Sequence, residues 1–358
     1  MPRFTIKAKK IHFIGIGGVG ISALARLMLH KVKEISGTND NKSPETLDEL
    51  RNRGVKISLN QNPENLSDAD LYIYSDAWLT MNPALIEAAK QKGIPMLSYF
   101  QALGEIANQY HLITVAGTHG KTTTTAMLID ILENAGKDPT AIVGSLRTKT
   151  KSNFRAGRSK YFIAEADEYL RHFLNFSPKI LAITNIEADH LDYYKDLTDI
   201  QNAFSELASK IPEDGFLICN SSNQKVKPIL SSAKCRIIDY NNVRADFNLN
   251  FPGQHNIENA KTAFAVAKAL EIPEEKVVTA LENYQGVWRR FEFKGKTKTG
   301  ALVYDDYAHH PTEIKATLKS FREKFPERRL VVVFQPHLFS RTKLFLNDFA
   351  ESFSDASQ

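Results

Sequence analysis

Residues 115–123 read V-A-G-T-H-G-K-T-T, and they lie between an apolar, β-branched run and a helical pattern. A glycine-containing loop that follows a strand and opens a helix is the setting in which backbone N–H groups and a lysine hold nucleotide phosphates. Lys121 is expected to neutralise the β- and γ-phosphate oxygens, and the Thr122 hydroxyl is placed to hold Mg²⁺. Val115 stands where the first glycine of G-x-x-x-x-G-K-T belongs, so a chance match is the alternative. The strand, loop and helix order favours ATP binding.

Another glycine loop, G-I-G-G-V-G at residues 15–20, lies earlier in the chain and is here called the first glycine loop. It follows a predicted strand and opens a predicted helix, so its glycines would let the backbone approach a diphosphate at a helix N-terminus. Asp40 lies about 20 residues further on, where an acidic side chain can accept ribose hydroxyls. The loop alone favours NAD over a purely structural turn. It does not distinguish NAD from another diphosphate such as a UDP-sugar.

The composition is that of a folded protein without a bias towards nucleic acid. The 358 residues include 46 Lys and Arg against 41 Asp and Glu, a net charge of +5, and no dense basic stripe. Cys219 and Cys235 have no metal-ligand neighbours, which predicts reduced thiols in the cytoplasm. Residues 11–29 imitate a signal peptide, but glycines and Arg26 interrupt the apolar run. The sequence therefore predicts a cytoplasmic protein without membrane insertion.

Short β-branched runs alternate with helical patterns, which is typical of parallel sheets built from strand–helix–strand units. The predicted fold class is α/β, and at roughly 150 residues per domain the length allows two or three domains. The predicted strands are residues 11–14, 34–36, 71–74, 95–98, 111–115, 161–164, 180–184, 302–304 and 330–334. The predicted helices are residues 18–30, 83–92, 121–134, 199–210, 256–270, 274–283, 312–325 and 342–353. Residues 219–250 are left unassigned, and residues 295–300 suggest a linker or hairpin.

Acidic clusters follow two of the predicted strands, E-A-D-E at residues 165–168 and N-I-E-A-D-H at residues 185–190. The carboxyl ends of parallel strands share one edge of a sheet. Both clusters are therefore expected to face the glycine-containing loop at residues 115–123, here called the phosphate loop. Carboxylates with an imidazole beside a nucleotide suit Mg²⁺, although histidine is a less usual ligand for this ion. Solvated loop ends are the alternative for each cluster taken alone.

Two dense polar stretches follow the last predicted strands, D-D-Y-A-H-H-P at residues 305–311 and Q-P-H-L-F-S-R-T at residues 335–342. Adjacent histidines beside two aspartates suggest a zinc site, but no His-x-x-x-His pair or cysteine supports one. Contacts with anionic substrates at a reaction centre fit both stretches better.

Taken in chain order, these motifs resemble the Mur ligase family of peptidoglycan synthesis, and within it the branch that adds L-alanine to UDP-N-acetylmuramate. The matching pieces extend from residue 11 to about residue 350: H-F-I-G-I-G-G-V-G-I-S, G-T-H-G-K-T-T-T-T, E-A-D-E-Y-L-R-H-F-L, T-N-I-E-A-D-H-L-D-Y-Y, F-P-G-Q-H-N-I-E-N-A, R-R-F-E, D-D-Y-A-H-H-P-T-E-I-K and F-Q-P-H-L-F-S-R-T. Eight pieces in the family's order leave little room for coincidence.

The resemblance implies three domains: a Rossmann-like UDP-sugar domain at residues 1–107, a central P-loop ATPase domain with a mainly parallel sheet at residues 108–292, and a partial Rossmann-like amino-acid domain at residues 293–358. It implies that ATP, with Mg²⁺, phosphorylates the lactyl carboxylate of UDP-N-acetylmuramate and that L-alanine attacks the acyl phosphate. NAD is then not needed, because the first glycine loop would hold the uridine diphosphate. We expect a monomer or weak homodimer in the cytoplasm, without a nucleic-acid partner.

Roles of individual residues carry over where the motifs match. The resemblance implies catalytic roles for Lys121, Glu165, His190, His309 and Arg341, and metal contacts from Thr122, Glu165 and His190. It implies nucleotide contacts from Gly117, Thr118, His119, Gly120, Lys121, Thr122, Thr123, Asn256, Asn259, Arg290 and Asp305. It implies UDP-sugar contacts from Gly15, Gly17, Gly18, Val19, Gly20, Asp40 and Ser75. A helix cap is the plain alternative for Asn256.

The chain departs from the family pattern at three places. Leu338 stands where the family usually has arginine, which removes one cation from the amino-acid side. The segment between Asp239 and Phe251 is shorter than the family's, which predicts a trimmed central sheet. About 67 residues follow Glu292, fewer than a doubly wound domain usually needs, so a shortened third domain is expected. The alternatives are therefore a related ligase for another amino acid or peptide, and a nucleotide-sugar-binding protein without turnover.

Overall fold

The computed structural model describes residues 6–357 except 30, 31, 33, 41–43, 244 and 245, and only the backbone of residues 44 and 45. The strands are β1 (Lys10–Ile14), β2 (Glu34–Thr38), β3 (Lys56–Ser58), β4 (Leu71–Tyr74), β5 (Met96–Ser98), β6 (His111–Ala116), β7 (Thr140–Arg147), β8 (Ser152–Arg155), β9 (Tyr161–Glu165), β10 (Ile180–Ile183), β11 (Phe216–Cys219), β12 (Arg236–Asp239), β13 (Glu292–Lys296) and β14 (Leu302–Asp305). The helices are α1 (Val19–Met28), α2 (Pro44–Asn52), α3 (Trp78–Met81), α4 (Pro83–Gln91), α5 (Tyr99–Ala107), α6 (Lys121–Asn134), α7 (Leu197–Ser209), α8 (Gln254–Ala269), α9 (Glu274–Glu282), α10 (Pro311–Lys324), α11 (Phe339–Leu344) and α12 (Leu346–Glu351).

Most predicted strands and helices are present with bounds close to those expected, and the α/β fold class with mainly parallel sheets is confirmed. The predicted end of the first helix, His30, lies outside the described residues. The sequence missed α2, α3, α5, β3, β11 and the β7–β8 pair. The unassigned region 219–250 contains β12 and two short 3-10 helices, Lys227–Ser232 and Tyr240–Asn242, while residues 244 and 245 are not described.

The first unit, β1 to α5, is a five-stranded sheet in the order β3-β2-β1-β4-β5 with every pair parallel. The central strand β1 buries Ile11, Phe13 and Ile14, because helices cover both faces of a parallel sheet. The carboxyl ends of β1, β2 and β4 lie together at one edge, which brings the first glycine loop, Asp40 and Ser75 to that edge.

The middle unit, β6 to α9, contains a seven-stranded sheet in the order β12-β11-β10-β6-β9-β7-β8, in which only β8 runs antiparallel. Helices α6, α8 and α9 pack together over one face of this sheet. Strand β6 lies between β9 and β10, so the loop after β6 is flanked by the ends of the two strands that carry the acidic clusters. The predicted convergence of the three loops follows directly from this strand order.

The third unit, β13 to α12, is an antiparallel hairpin followed by three helices. Its hydrophobic core is small, with Ile314, Leu318 and Phe349 buried. Residues 295–300 fall in the hairpin, as one of the two alternatives predicted.

Two predictions for the third unit are wrong. Residues 330–334 do not form a strand, because a strand needs a neighbouring backbone, and the backbone hydrogen bonds found for this segment join only Leu330 to Ser357. Val333 is 96% exposed, so the apolar run is not a buried strand either. The single helix predicted at residues 342–353 is instead two short helices that break at Phe345.

Helix α1 of the first unit packs on β7 and β8 of the middle unit. Arg26 on α1 is buried there and donates from Nη1 to Ser152 Oγ at 3.2 Å, and its Nη2 bonds the Asn153 side-chain oxygen. The Asn153 amide in turn donates to the Val19 carbonyl at 2.5 Å. These contacts hold the first glycine loop beside the phosphate loop. Within the described part of the chain, no helix combines the length and the apolar character needed to cross a bilayer.

Candidate active site

A cavity of about 640 Å³, here called the reaction cavity, lies where the three units meet. The first unit contributes Val19 and Gly20 to its wall, the middle unit contributes the phosphate loop and both acidic clusters, and the third unit contributes His309 and Arg341. A second cavity of about 310 Å³, here called the nucleotide cavity, adjoins the same phosphate loop. The arrangement brings residues from six separate predicted motifs to one place.

The two glycines of the phosphate loop have positive φ angles, +130° at Gly117 and +82° at Gly120. A Cβ atom would lie 2.2 Å from Thr184 Oγ1 at the first position and 2.2 Å from Asn259 Oδ1 at the second. Other residues would therefore suffer both backbone strain and a collision. Gly120 is also the N-cap residue of α6, so the free N–H groups at the helix start face the loop interior.

Asn185, which follows β10, holds the phosphate loop in shape. Its carbonyl accepts the Thr118 N–H at 3.1 Å, and its side-chain oxygen accepts the His119 N–H at 2.9 Å. Its amide donates to the His119 carbonyl at 3.0 Å. The shape of the loop is therefore fixed by hydrogen bonds within the protein.

The Lys121 ammonium group lies over the loop and pairs with Glu168, at 2.8 and 3.1 Å from its two oxygens. It also donates to the Gly117 carbonyl at 2.6 Å. Burial raises the pKa of Glu168 to about 7. Burial opposes the lysine charge as well, but the carboxylates of Glu168, Asp167 and Glu165 together outweigh burial and raise the pKa of Lys121. The lysine that is predicted to bind phosphate is thus held in place by an acidic partner.

The hydroxyl and carboxylate predicted to hold Mg²⁺ are in direct contact. Thr122 Oγ1 donates to Glu165 Oε1 at 2.8 Å, and the Gly144 N–H donates to the other carboxylate oxygen at 2.7 Å. His190 forms a separate group with Asp167 and Glu168, whose potential ligand atoms all lie within 4.8 Å of one another. The sequence assigned metal roles to Glu165 but none to these two acids, although both stand in the same E-A-D-E motif.

The side chain of His119 faces two carboxylates rather than the loop interior. Its Nδ1 lies 3.2 Å from Glu313 Oε1 on α10 of the third unit, and its Nε2 lies 3.6 Å from Glu187 Oε2. Burial lowers the pKa of His119, but the two carboxylates outweigh burial and raise it to about 9. The imidazole of His119 thus joins the middle unit to the third. His119 also lines the nucleotide cavity, and its nucleotide contact stays a prediction.

Stability should fall with pH more steeply in the native protein than in a His119→Gln variant. A histidine whose pKa rises from 6.5 to about 9 on folding contributes its full stabilisation below pH 6.5 and loses it as the pH rises through 9. Urea unfolding at intervals between pH 6.5 and 9 measures the difference. His255→Gln is the control, because burial lowers the pKa of His255 to about 4 and its substitution leaves this pH range unaffected. An unchanged slope in His119→Gln contradicts the charge assignment.

The nucleotide cavity is lined by Asn256, Asn259 and Arg290, whose nucleotide contacts stay predictions. Asn256 is not the helix cap, since α8 is capped by Gly253 and the Asn256 amide donates to the Pro252 carbonyl at 2.7 Å.

Of the two adjacent aspartates, Asp306 lines the nucleotide cavity, whereas Asp305 is not part of its wall and lies 3.3 Å from Arg289 Nε. The nucleotide contact expected from Asp305 stays a prediction. Adjacent residues leaving a strand point to opposite sides, so a shift of one residue changes which side chain reaches the site.

The predicted UDP-sugar residues lie at the carboxyl edge of the first sheet, but only Val19 and Gly20 reach the reaction cavity. Packing explains the other glycines: a Cβ at Gly15 would lie 2.2 Å from Trp78 Nε1, and one at Gly17 would lie 2.6 Å from Asn39 Nδ2. Gly18, Asp40 and Ser75 are also outside the cavity wall.

The histidine pair of the third unit is split between two environments. His309 lines the reaction cavity, and its backbone N–H donates to Glu313 Oε2 at 3.0 Å. His310 is buried against His119, and its Nδ1 accepts the Thr312 N–H at 3.3 Å, which leaves the proton on Nε2. Among the described residues, His310 forms a second group of possible metal ligands with His119 and Glu187. Neither group contains both adjacent histidines, so the pair does not act as one site.

Family models match three parts of the chain: "Mur ligase family, catalytic domain" at residues 10–111, "Mur ligase middle domain" at 115–243 and "Mur ligase, glutamate ligase domain" at 289–358. The chain is 41% identical to the UDP-N-acetylmuramate–L-alanine ligase of Clostridium botulinum, over 98% of this chain and 82% of that protein. The crystal structure of UDP-N-acetylmuramate–alanine ligase MurC from Thermotoga maritima matches with a TM-score of 0.81 at 29% identity, covering 98% of this chain and 84% of that one. A murein peptide ligase from Psychrobacter arcticus matches with a TM-score of 0.76 at 27% identity, with the same coverage.

Proposed function

The chain belongs to the Mur ligase family, and from that premise we propose that it joins L-alanine to the lactyl carboxylate of UDP-N-acetylmuramate, using ATP, in peptidoglycan precursor synthesis. The observation that carries this proposal is the meeting of the phosphate loop, the acidic clusters and the third-unit residues His309 and Arg341 around one reaction cavity. The identity of 41% to an L-alanine ligase over 98% of this chain supports L-alanine as the added amino acid.

The proposed reaction has two steps. The lactyl carboxylate attacks the γ-phosphorus of ATP, which gives an acyl phosphate and ADP. The amino group of L-alanine then attacks the acyl carbon, and phosphate leaves. Phosphoryl transfer depends mainly on positioning and charge neutralisation, so the protein's task is to align the three substrates and offset their negative charge.

Lys121 changes partner during this cycle. Before ATP binds, its charge is matched by Glu168. The phosphate oxygens then become its partners, and Glu168, whose pKa burial raises to about 7, can take up a proton rather than remain a buried unpaired anion. The free N–H groups at the start of α6 add to the positive electrostatic potential at the phosphate loop.

Mg²⁺ fits the residues at this edge of the sheet. Thr122 and Glu165 offer a hydroxyl and a carboxylate already in contact, and Asp167, Glu168 and His190 form a second group of donors. Oxygen donors of this kind are the ligands that Mg²⁺ prefers. When bound, the ion supplies positive charge to bridging phosphate oxygens. Thr122, Glu165 and His190 remain the proposed ligands, with Asp167 as an additional candidate.

The remaining assignments belong to the same proposal. The first glycine loop, Asp40 and Ser75 bind the UDP-sugar at the edge of the first sheet, and His309 and Arg341 meet the amino acid and the reacting carboxylate. Domain limits at residues 107 and 292, a cytoplasmic location and a monomer or weak homodimer are also proposed.

ADP release with UDP-N-acetylmuramate, ATP and L-alanine tests the function directly. We expect release that requires all three substrates and yields the UDP-N-acetylmuramoyl-alanine product by mass. A higher kcat/KM with another amino acid or a murein peptide would identify the related ligase instead. Binding of both nucleotides without any product would identify a nucleotide-sugar-binding protein.

A further inference from the structure

Arg341 of the third unit and Asp189 of the middle unit form a buried, two-pronged ion pair. Arg341 Nε lies 3.0 Å from Asp189 Oδ1, and Nη2 lies 3.1 Å from Oδ2. The exposed fractions of the two side chains are 5% and 8%. A planar guanidinium held by two parallel hydrogen bonds has a fixed orientation as well as a fixed position.

The Asp189 carboxylate is itself fixed by its own loop. The His190 N–H donates to Asp189 Oδ1 at 2.8 Å, and His190 has a positive φ of +53° that turns the chain at this point. The orientation of Arg341 is therefore set by the middle unit, although α11, which carries the arginine, belongs to the third.

The third nitrogen of this guanidinium takes no part in the ion pair with Asp189. Arg341 Nη1 is buried and has no hydrogen-bond partner among the described residues, and Arg341 lines the reaction cavity. A buried N–H group without a partner is costly, so its position favours an incoming acceptor. The other arginines of the cavity wall face carboxylates of the protein, Arg289 with Asp305 and Arg290 with Glu313.

We propose that Asp189 is a positioning residue, which holds Arg341 so that Nη1 receives a carboxylate oxygen of the incoming amino acid. The inference rests on the proposed function. In that function, the carboxylate of the amino acid is an anion that the phosphate loop does not bind. Lys121 lies at the phosphate end of the cavity, whereas Arg341 lies beside Leu338, where the third unit closes the cavity. Asp189 acts only through the arginine and does not touch the substrate.

The test compares KM values in Asp189→Asn, which keeps the size of the side chain and removes the charge. We expect the KM for L-alanine to rise about tenfold or more, because the guanidinium loses its fixed orientation. The KM values for ATP and UDP-N-acetylmuramate should change by less than about threefold. Asp192→Asn, three positions along the same loop, is the matched control and should leave all three KM values unchanged.

A guanidinium rescue separates positioning from a general loss of structure. Arg341→Ala should regain activity with millimolar methylguanidinium, because Asp189 can bind the free cation in place of the side chain. Asp189→Asn/Arg341→Ala should not regain it. Rescue that is equal in both backgrounds overturns the proposal.

Two further outcomes are informative. A parallel rise in the KM for ATP would mean that Asp189 merely docks the third unit, which also lines the nucleotide cavity, and would overturn the positioning role. An Asp189→Asn variant with native KM for L-alanine would do the same. If the native protein forms no product, the proposed function itself fails, and that result is separate from any comparison between variants.

Discussion

Lys121→Ala is expected to abolish ADP release, with kcat lower by about 10³-fold, while UDP-N-acetylmuramate still binds with nearly native affinity. The lysine is the cation of the phosphate loop, and its removal leaves developing phosphate charge without compensation. The residues proposed to bind the UDP-sugar lie at the edge of a different sheet, in the first unit. ADP release and calorimetric titration with UDP-N-acetylmuramate measure the two effects separately.

Glu168 provides the control for this substitution, since Lys121→Ala leaves it without its partner. The double variant Lys121→Ala/Glu168→Gln removes the orphaned carboxylate and should be as inactive as the single variant. Lys149→Ala, a half-exposed lysine of the same unit, should retain full activity. Loss of UDP-sugar binding together with turnover would contradict the separation of the two sites.

Arg147→Met is expected to lower the free energy of unfolding by about 3–5 kcal/mol, because it leaves buried carboxylates without their cationic partner. Arg147 at the end of β7 is 3% exposed; it bonds Asp130 and lies 2.6 Å from Glu133 Oε2, both on α6. Burial already raises the pKa of Asp130 against the pull of this arginine. Because α6 begins at the phosphate loop, the pair ties that loop's helix to the sheet. Urea unfolding measures the loss.

Arg155 is the matched comparison for this prediction. It binds the same Glu133 at 2.6 Å but is more exposed, so Arg155→Met should cost about 1 kcal/mol or less. Adding Asp130→Asn to Arg147→Met should restore part of the stability, because it removes the stranded charge. Equal losses from both arginines would show that burial is not the source of the effect.

Much of the fold was predictable because its signals are local. Strand β4 and helix α6 have the predicted bounds, since a β-branched apolar run and a helical pattern each depend on a few neighbouring residues. The phosphate loop was predictable for the same reason. Residues 330–334 show the limit: the V-V-V-F run has strand propensity, but no described strand lies beside it to accept its hydrogen bonds.

The site was predictable as a set of motifs but not as a set of contacts. The strand order places the acidic clusters beside the phosphate loop, as expected from parallel sheets. Asp306, rather than its neighbour Asp305, lines the nucleotide cavity, and His190 is grouped with Asp167 and Glu168. Asp189, the partner of Arg341, carried no signal beyond its place within the N-I-E-A-D-H motif.

The sequence by itself determined the family, the α/β class and the loops that face the substrates, because glycine spacing, apolar periodicity and short motifs are properties of neighbouring residues. Only the tertiary structure decided which charges meet. His119 faces Glu313 across 194 positions, and Arg341 faces Asp189 across 152. Such pairs form only when folding removes two distant groups from water together, and their strength depends on burial and orientation, which no local pattern of residues records.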